Sequence, residues 1–300
     1  MTSKNDQEDL AQYHYPITDS SKKTNGKPLT NEQITFFQEH GYLSNIQLLE
    51  ESEVDALLDE LEKNLIAEKA PSPYFYEYHA NELDQVNSTQ ESVLFHALGA
   101  WRVSKLFHDL VFHQRLAKIV SQLLNNAKKV RLFHDQIFAK PPRYGATVAW
   151  HQDYSYWTRT KPMNHLTVHI ALDAQDEQNG CLHYVDGSHQ WNLLPVTSRH
   201  FNDMESILKV LNPQQIDHFR RHTKSIIYKR GQISIHHPLL VHGSFGNTSD
   251  RPRRAYVLNF LGDTVRSDTN EPLLEGVPVI KKGEIVKGKY FPIVYPFPKS

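Results

Sequence analysis

The chain has little cysteine and no excess of charge, and each shortage excludes a class of protein. Its single cysteine, Cys181, cannot form a disulfide within the chain, which fits a reducing compartment such as the cytoplasm. Asn179 and Gly180 before it are typical of a turn that enters a strand, so we interpret Cys181 as a small core residue rather than a nucleophile. The 33 lysines and arginines nearly balance the 34 aspartates and glutamates, and this net charge of −1 argues against nucleic acid as a partner.

Long apolar segments are also lacking. No run approaches the roughly 18 residues of a membrane-spanning helix, and the N-terminus lacks the charged and then apolar pattern of a secretion signal. We therefore expect a cytoplasmic protein without a membrane partner. Residues 1–29 are polar and predict a flexible N-terminal tail, and residues 30–300 are expected to form a single domain.

Helical patterns dominate the first part of that domain. Thr30 or Asn31 can cap a helix that stops at Gly41. Residues 51–66 carry one apolar stripe at helical spacing, and residues 99–125 are also mostly helical in pattern.

From residue 130 the apolar spacing changes to two, which predicts strands. The predicted strand 165–173 has one apolar face and one polar face, so the polar face can line a pocket. Further strands are predicted at 130–140, 147–153, 224–229, 232–236 and 254–260. Helices followed by strands favour a mainly β fold, a sandwich or jelly roll with the N-terminal helices packed on the sheet. Residues 198–222 interrupt the strands, and we leave open whether this insertion is a lid or a surface excursion.

The most informative stretch is Trp150-His151-Gln152-Asp153. Side chains two apart on a strand point the same way, about 6–7 Å from each other, so His151 and Asp153 can bind one metal ion. The best candidate for a third ligand is His242. Two imidazoles and one carboxylate on one face of an ion form the facial triad of non-haem Fe(II) oxygenases. Since the chain has 18 histidines, a His-x-Asp pattern also arises by chance, and the neighbouring motifs must decide.

A cluster of arginines, Arg251, Arg253 and Arg254, follows His242 after a glycine-rich turn. Arginine presents a planar fork of donors that matches a carboxylate, so the cluster favours an anionic ligand close to the metal. Strand alternation places Arg251 on the same face as Arg253. It places Arg254 on the opposite face, where we expect a surface position.

Several motifs follow one another in a specific order. They are Leu-Thr-Asn-Glu-Gln-Ile-x-Phe-Phe-Gln-Glu-His-Gly-Tyr, Trp-His-Gln-Asp-x-x-Tyr-Trp, Ile-Ala-Leu-Asp before Asn-Gly-Cys-Leu, Gly-Ser-His, and His-Gly-Ser with an arginine eleven residues after the histidine. Together they resemble the phytanoyl-CoA dioxygenase family over roughly residues 29–262. The resemblance implies a double-stranded β-helix (jelly roll, cupin-like) fold, Fe(II), and 2-oxoglutarate as a co-substrate used with O2. Family reactions are usually hydroxylations that release succinate and carbon dioxide.

The resemblance also implies roles for individual residues. His151, Asp153 and His242 would bind iron. Arg253, eleven residues after His242, would pair with the distal carboxylate of 2-oxoglutarate, helped by the Ser244 hydroxyl. Halogenating relatives replace the carboxylate ligand with a small residue, so the presence of Asp153 predicts hydroxylation or a related oxidation.

Other residues have less specific implied roles. Gln136 and His169 lie at strand positions from which the family contacts the co-substrate, although a related member carries an aromatic residue in place of His169. Lys140 is a common family feature. The candidates for the wall of the substrate site, with core packing as the alternative, are Phe138, Tyr154, Tyr156 and Trp157. The histidines interpreted as structural or surface residues are His134, His165, His183, His189, His236 and His237.

These patterns leave three functions open. The leading hypothesis is an Fe(II)- and 2-oxoglutarate-dependent dioxygenase acting on a small-molecule substrate. A second is a non-oxidative metal enzyme on a jelly-roll scaffold, an isomerase or hydrolase in which Arg253 binds the anion of the substrate itself. A third is a binding protein that senses 2-oxoglutarate or another metabolite without turnover. Fold alone does not separate them, and the site must.

Overall fold

Two antiparallel sheets enclose a cavity. The N-terminal helices pack on the outer face of the larger sheet, and the last helix packs on the smaller sheet. The computed structural model describes residues 8–18, 27–66, 72–82, 92–196 and 203–298. The helices are α1 (Asn31–His40), α2 (Glu51–Glu60), α3 (Lys105–Val111), α4 (Gln114–Leu123) and α5 (Pro213–His222).

The strands lie almost entirely in two sheets. In chain order they are β1 (Tyr42–Gln47), β2 (Glu77–His79), β3 (Phe95–Leu98), β4 (Val130–Lys140), β5 (Val148–His151), β6 (Thr160–Lys161), β7 (His165–Ala171), β8 (Leu182–Val185), β9 (Thr223–Ser225), β10 (Gln232–His236), β11 (His242–Ser244), β12 (Arg253–Gly262), β13 (Arg266–Ser267) and β14 (Ile293–Tyr295). The larger sheet has the order β1-β10-β7-β12-β4-β3-β2, with β14 paired to β4, and the smaller has the order β5-β11-β8-β9. Strands β6 and β13 form a separate pair. This two-sheet architecture agrees with the predicted mainly β fold.

The first helix begins and ends where its sequence predicts. The Thr30 side chain accepts a hydrogen bond from the backbone N–H of Gln33, and the Gln33 side chain caps Thr30 in return. Gly41 ends the helix in the left-handed conformation, with φ of 80°. A Cβ at Gly41 would lie 2.4 Å from Nδ1 of His189, so both the backbone and the packing require glycine here.

Strand β7 at the centre of the larger sheet is enclosed on both faces, as its alternating pattern predicted. Leu166, Val168 and Ile170 pack in the main core with residues of the helices. Thr167 and His169, on the other face, line the cavity between the sheets. Burial of the apolar face holds the helices on the sheet, and the polar face is left for the site.

The expected loose tail is wrong for the part of it that the structure describes. Residues 1–7 and 19–26 lie outside the described residues, but residues 8–18 pack on the domain. Leu10 and Ala11 are buried, and Asp9 forms an ion pair with Arg102 at 3.0 Å. Residues 8–18 therefore contact specific partners on the domain, which the polar composition of residues 1–29 did not indicate.

Other boundaries differ from the expected ones at strand ends. Strand β5 ends at His151, and Asp153 begins a 3₁₀ turn over Asp153–Tyr156. Strand β9 is only three residues long. In the insertion at 198–222, residues 198–202 lie outside the described residues, and the rest contains a 3₁₀ turn and α5. The two interpretations of this insertion, a lid and a surface excursion, both stand.

Within the described residues, none of the helices is both long and apolar enough to span a bilayer.

Buried histidines make stability depend on pH. Burial lowers the pKa of His113 to about 4, and three other buried histidines behave similarly: burial lowers the pKa of His134 and His237 to about 4 and of His165 to about 3. These imidazoles stay neutral in the folded chain but take up protons in the unfolded chain below pH 6.5. The folded state is therefore favoured above pH 6.5 and loses this stability as the pH falls towards 4.

His113→Asn tests this directly, because asparagine preserves the N-cap that His113 provides to α4. We expect the wild-type free energy of unfolding to fall by about 3 kcal/mol more than that of the variant between pH 6.5 and pH 4. Urea unfolding at several pH values measures this difference. Asp135, in which burial raises the pKa to about 6, contributes with the opposite sign but equally in both proteins. Parallel pH profiles for the two proteins would contradict the assignment.

Candidate active site

The predicted triad comes together at one end of the paired strands β5 and β11 of the smaller sheet. His151 on β5 lies directly opposite His242 on β11 in the antiparallel pairing, and the two rings are 4.2 Å apart. Asp153 follows β5 by two residues, and its Oδ1 lies 3.5 Å from Nε2 of each histidine. One potential donor atom from each of the three residues lies within 4.8 Å of the other two.

Backbone carbonyls set the tautomers of both histidines. Nδ1 of His151 lies 2.7 Å from the carbonyl oxygen of Ala149, and Nδ1 of His242 lies 2.9 Å from that of Leu240. Since a carbonyl oxygen only accepts, each Nδ1 carries the proton and each Nε2 presents a lone pair. Burial, and then the neighbouring His151, hold the pKa of His242 well below its ordinary value, so this imidazole is neutral and able to bind a metal.

The carboxylate of Asp153 is held from its far side. Oδ2 accepts hydrogen bonds from Thr167 Oγ1 at 2.5 Å and from His236 Nε2 at 3.0 Å, which leaves Oδ1 facing the other two ligands. Burial alone would raise the pKa of Asp153, but the histidines around it, His242 foremost, hold that pKa well below its ordinary value. The carboxylate is therefore ionised.

This donor set fits a first-row transition metal. Two neutral imidazole nitrogens and one carboxylate oxygen converge from one side, which is the ligand chemistry of non-haem Fe(II) sites. Among the described residues, no other group of three or more histidine, cysteine, aspartate or glutamate side chains lies close enough to share a metal ion. The other side of the triad opens into a cavity of about 290 Å³ between the sheets.

Arg253 lies in the same cavity without an anionic partner. It begins β12, is 2% exposed, and its Nε is buried without a hydrogen bond. No described residue forms an ion pair with its guanidinium, and burial lowers the pKa of Arg253. A buried guanidinium without a partner is costly, so this pocket favours an anion that the described residues do not supply.

A second buried basic side chain, that of Lys140, orients Ser244 beside this pocket. Lys140 Nζ donates to Ser244 Oγ and to the carbonyl oxygen of Phe245, both at 2.6 Å. Burial, and then the charge of Arg253, hold the pKa of Lys140 well below its ordinary value. Because Ser244 Oγ accepts from Lys140, its own proton is free to reach a ligand in the cavity.

Arg251 and Arg254 do not share the Arg253 pocket. Arg251 precedes β12 and pairs with Asp176 at 2.6 Å, so its expected position beside Arg253 is wrong. Arg254 lies on the opposite face, as expected, but its side chain is only 12% exposed because it pairs with Asp173 at 2.7 Å.

Gln136 and His169 both line the cavity, and each is held by a neighbouring amide. Gln136 Nε2 donates to Asn259 Oδ1 at 3.0 Å, and His169 Nε2 lies 3.1 Å from Gln175 Oε1. Burial, and then Arg253, hold the pKa of His169 well below its ordinary value. A neutral imidazole therefore faces the part of the cavity beside Arg253 and Ser244, which we call the anion pocket.

Three of the four predicted wall residues reach the cavity. They are Phe138, Tyr156 and Trp157. Tyr154 is the exception, since its ring is buried and its hydroxyl donates to the carbonyl oxygen of Thr160 at 2.6 Å. The 3₁₀ turn that starts at Asp153 replaces the alternation of a strand with a threefold rotation, and this turns Tyr154 into the core.

Several cavity residues were not predicted. His134 and His236 were interpreted as structural, but both line the cavity, and Nδ1 of His134 is buried without a partner. A signal existed for His134, which lies two residues before Gln136 on the same face of β4. No local signal placed Leu273 and Leu274 at the cavity, because they belong to a long segment without regular structure.

Comparisons with known proteins agree on family and fold. The sequence model of the phytanoyl-CoA dioxygenase family matches residues 37–255. A phytanoyl-CoA dioxygenase domain-containing protein 1 homolog from Caenorhabditis briggsae is 27% identical over 159 residues, covering 52% of this chain and 54% of the relative, so the chain aligns with about half of that protein. A phytanoyl-CoA dioxygenase from Arabidopsis thaliana is 26% identical over 259 residues, covering 77% of this chain and 88% of the relative.

Solved structures show the same architecture. The epimerase SnoN in complex with Fe3+, alpha ketoglutarate and nogalamycin RO superposes with a TM-score of 0.70 at 18% identity, covering 88% of this chain and 97% of that one. At this identity the likeness shows the fold, which is the jelly roll, or double-stranded β-helix, expected for the chain.

Replacing one triad histidine tests whether the cluster binds metal. We expect wild type to bind about one Mn(II) per chain, and His151→Ala to weaken binding by more than the roughly 10- to 100-fold that loss of an outer hydrogen bond costs. His218→Ala removes an imidazole from α5, away from the cavity, and is expected to bind like wild type. Electron paramagnetic resonance of free Mn(II) gives both dissociation constants. Equal constants for His151→Ala and His218→Ala would remove the metal assignment.

Proposed function

Because the chain belongs to the phytanoyl-CoA dioxygenase family, we propose that it is an Fe(II)- and 2-oxoglutarate-dependent dioxygenase that hydroxylates an aliphatic C–H bond of a small molecule. One observation carries the proposal: the His151, Asp153 and His242 cluster, which could hold a metal ion, opens into the same cavity as the buried Arg253, which has no anionic partner among the described residues. A metal ion and a dianion such as 2-oxoglutarate satisfy both at once. The proposal treats residues 30–300 as one oxygenase domain.

The chain's own residues bind and orient the reactants. His151, Asp153 and His242 hold the ion, and Arg253 pairs with the distal carboxylate of 2-oxoglutarate. The Ser244 hydroxyl, whose proton is free, donates a hydrogen bond to the same carboxylate. When bound, Fe(II) and 2-oxoglutarate supply the oxidising chemistry, in which O2 converts 2-oxoglutarate to succinate and CO2 while one oxygen atom enters the substrate.

The size of the cavity also favours a small molecule as the substrate. Its volume of about 290 Å³ is just below the roughly 300–1,000 Å³ usual for ligand sites, and it must hold both the co-substrate and the substrate. Phe138, Tyr156 and Trp157 supply aromatic walls that exclude water from the reacting groups. A compact molecule that reaches the triad from this side meets these requirements.

Two neighbouring arginines provide a matched test of co-substrate binding. Arg253→Ala is expected to weaken binding of 2-oxoglutarate to the Mn(II)-loaded protein by at least about 30-fold, since a buried charge pair is worth 2 kcal/mol or more. Arg254→Ala, on the opposite face of the same strand, is expected to change this affinity less than about threefold. Anaerobic titration calorimetry measures both. If Arg253→Ala bound 2-oxoglutarate like wild type, another residue would hold the anion.

Turnover separates an oxygenase from a metabolite sensor and from a non-oxidative metal enzyme. With Fe(II), ascorbate as reductant and O2, we expect wild type to release CO2 from carbon 1 of 2-oxoglutarate, even slowly without the primary substrate. Asp153→Ala is expected to release none above background. Release that persists without O2, or is absent in iron-loaded wild type, would count against the proposed reaction.

A further inference from the structure

We propose that His236 is a positioning residue that holds Asp153 so that a single carboxylate oxygen, Oδ1, is offered to the metal. The inference rests on the proposed function of the site and deepens it. His236 is 2% exposed, its ring lies 4.4 Å from that of His242, and its Nε2 lies 3.0 Å from Asp153 Oδ2. Three imidazoles thus surround one carboxylate, but only those of His151 and His242 point at Oδ1.

The larger sheet brings His236 to this position. His236 ends β10 and pairs across the sheet with Thr167 on β7. Both side chains approach Asp153 from the same direction, and Thr167 Oγ1 lies 2.5 Å from Oδ2. Two donors from adjacent strands therefore occupy one oxygen, while the smaller sheet supplies the two ligands that face the other.

A buried chain of hydroxyl groups sets the tautomer of His236. Nδ1 lies 3.0 Å from Tyr184 Oη, which lies 2.7 Å from Ser234 Oγ, and Tyr228 Oη lies 2.8 Å from the same Ser234 Oγ. Since Asp153 only accepts, Nε2 of a neutral His236 donates to it. Nδ1 then accepts from Tyr184, Tyr184 from Ser234, and Ser234 from Tyr228, so every bond has one donor and one acceptor.

The hydroxyl groups of this hydrogen-bonded series are buried, which suits a role in holding the His236 ring in one orientation. Tyr184 and Ser234 are completely buried, and burial raises the pKa of Tyr184 well above its ordinary value, so it keeps its proton. At the far end, the ring of Tyr228 packs 5.2 Å from that of His169, which lines the anion pocket. The chain therefore joins the support of the metal ligand to the wall of the co-substrate pocket.

The adjacent His237 offers a matched control. Its ring lies 5.4 Å from His189, and its Nδ1 accepts from the backbone N–H of Leu239. In the described structure it makes no contact with Asp153. His236→Phe and His237→Phe therefore remove equivalent imidazoles one residue apart, and only the first removes the support of Oδ2.

The test measures the dissociation constant of Mn(II) alone, by electron paramagnetic resonance, without 2-oxoglutarate. His236→Phe is expected to weaken binding about 10- to 100-fold, the usual cost of losing an outer-sphere partner, and His237→Phe to leave it unchanged. His236→Gln, whose amide N–H can still donate to Oδ2, is expected to lie within about threefold of wild type. Tyr184→Phe, which removes only the group that orients the imidazole, is expected to fall between.

The outcomes separate positioning from packing. If folded His236→Phe bound Mn(II) like wild type, or if His236→Gln were as weak as His236→Phe, the proposal would be overturned. Should His236→Phe fail to fold, His236→Gln and Tyr184→Phe keep the test: wild-type affinity in Tyr184→Phe together with loss in His236→Gln contradicts a hydrogen-bonding role. A wild type that binds Mn(II) but not 2-oxoglutarate would refute the proposed function while leaving the role of His236 standing.

Discussion

Backbone pairing between β5 and β11 is the constraint on which the rest of the site depends. It places His151 opposite His242, and the carbonyl oxygen two residues before each histidine orients its ring. Asp153 then needs only one turn to bring its carboxylate between them. The backbone pairing of the sheet already fixes the positions of these three residues. Bringing their donor atoms together therefore costs little further conformational entropy of the chain.

The larger sheet supplies the support and the anion pocket. Its register aligns His236, Thr167, Asn259 and His134 in one row across four strands, on the face turned to the cavity. Asn259 Nδ2 donates to Thr167 Oγ1, which in turn donates to Asp153, so the row ends at the proposed metal ligand. The opposite face of the same strands packs on the helices. The packing of apolar side chains against the helices therefore fixes the strands that carry the polar row.

The features that could be predicted from the sequence are those that depend on residues close together along the chain. Strand alternation and spacing favoured a sandwich or jelly roll and made His151, Asp153 and His242 candidates for one metal site, because those signals are local. The choice of Arg253 within its arginine cluster came from the resemblance to the family. The roles of these residues in binding iron and 2-oxoglutarate remain predictions. The sequence did not reveal that a 3₁₀ turn removes Tyr154 from the cavity, since the turn is selected by packing.

Contacts between distant segments were beyond sequence reasoning. Ser234 and His236 are two residues apart and share a face, but their partner Tyr184 comes from the other sheet, and only the folded register shows the pairing. Residues 8–18 likewise find partners about ninety residues away, such as Asp109, which accepts the backbone N–H of Ile17.

The central claim is that one metal ion and one 2-oxoglutarate bind together between the triad and Arg253. Anaerobic visible absorption of the Fe(II)-loaded wild type, recorded as 2-oxoglutarate is added, tests it most directly. The account predicts a weak charge-transfer band that requires both additions, is absent in Asp153→Ala, and needs far more 2-oxoglutarate in Arg253→Ala. A well-folded wild type that holds one iron per chain and shows no band at any concentration of 2-oxoglutarate would contradict the account and favour a non-oxidative metal enzyme.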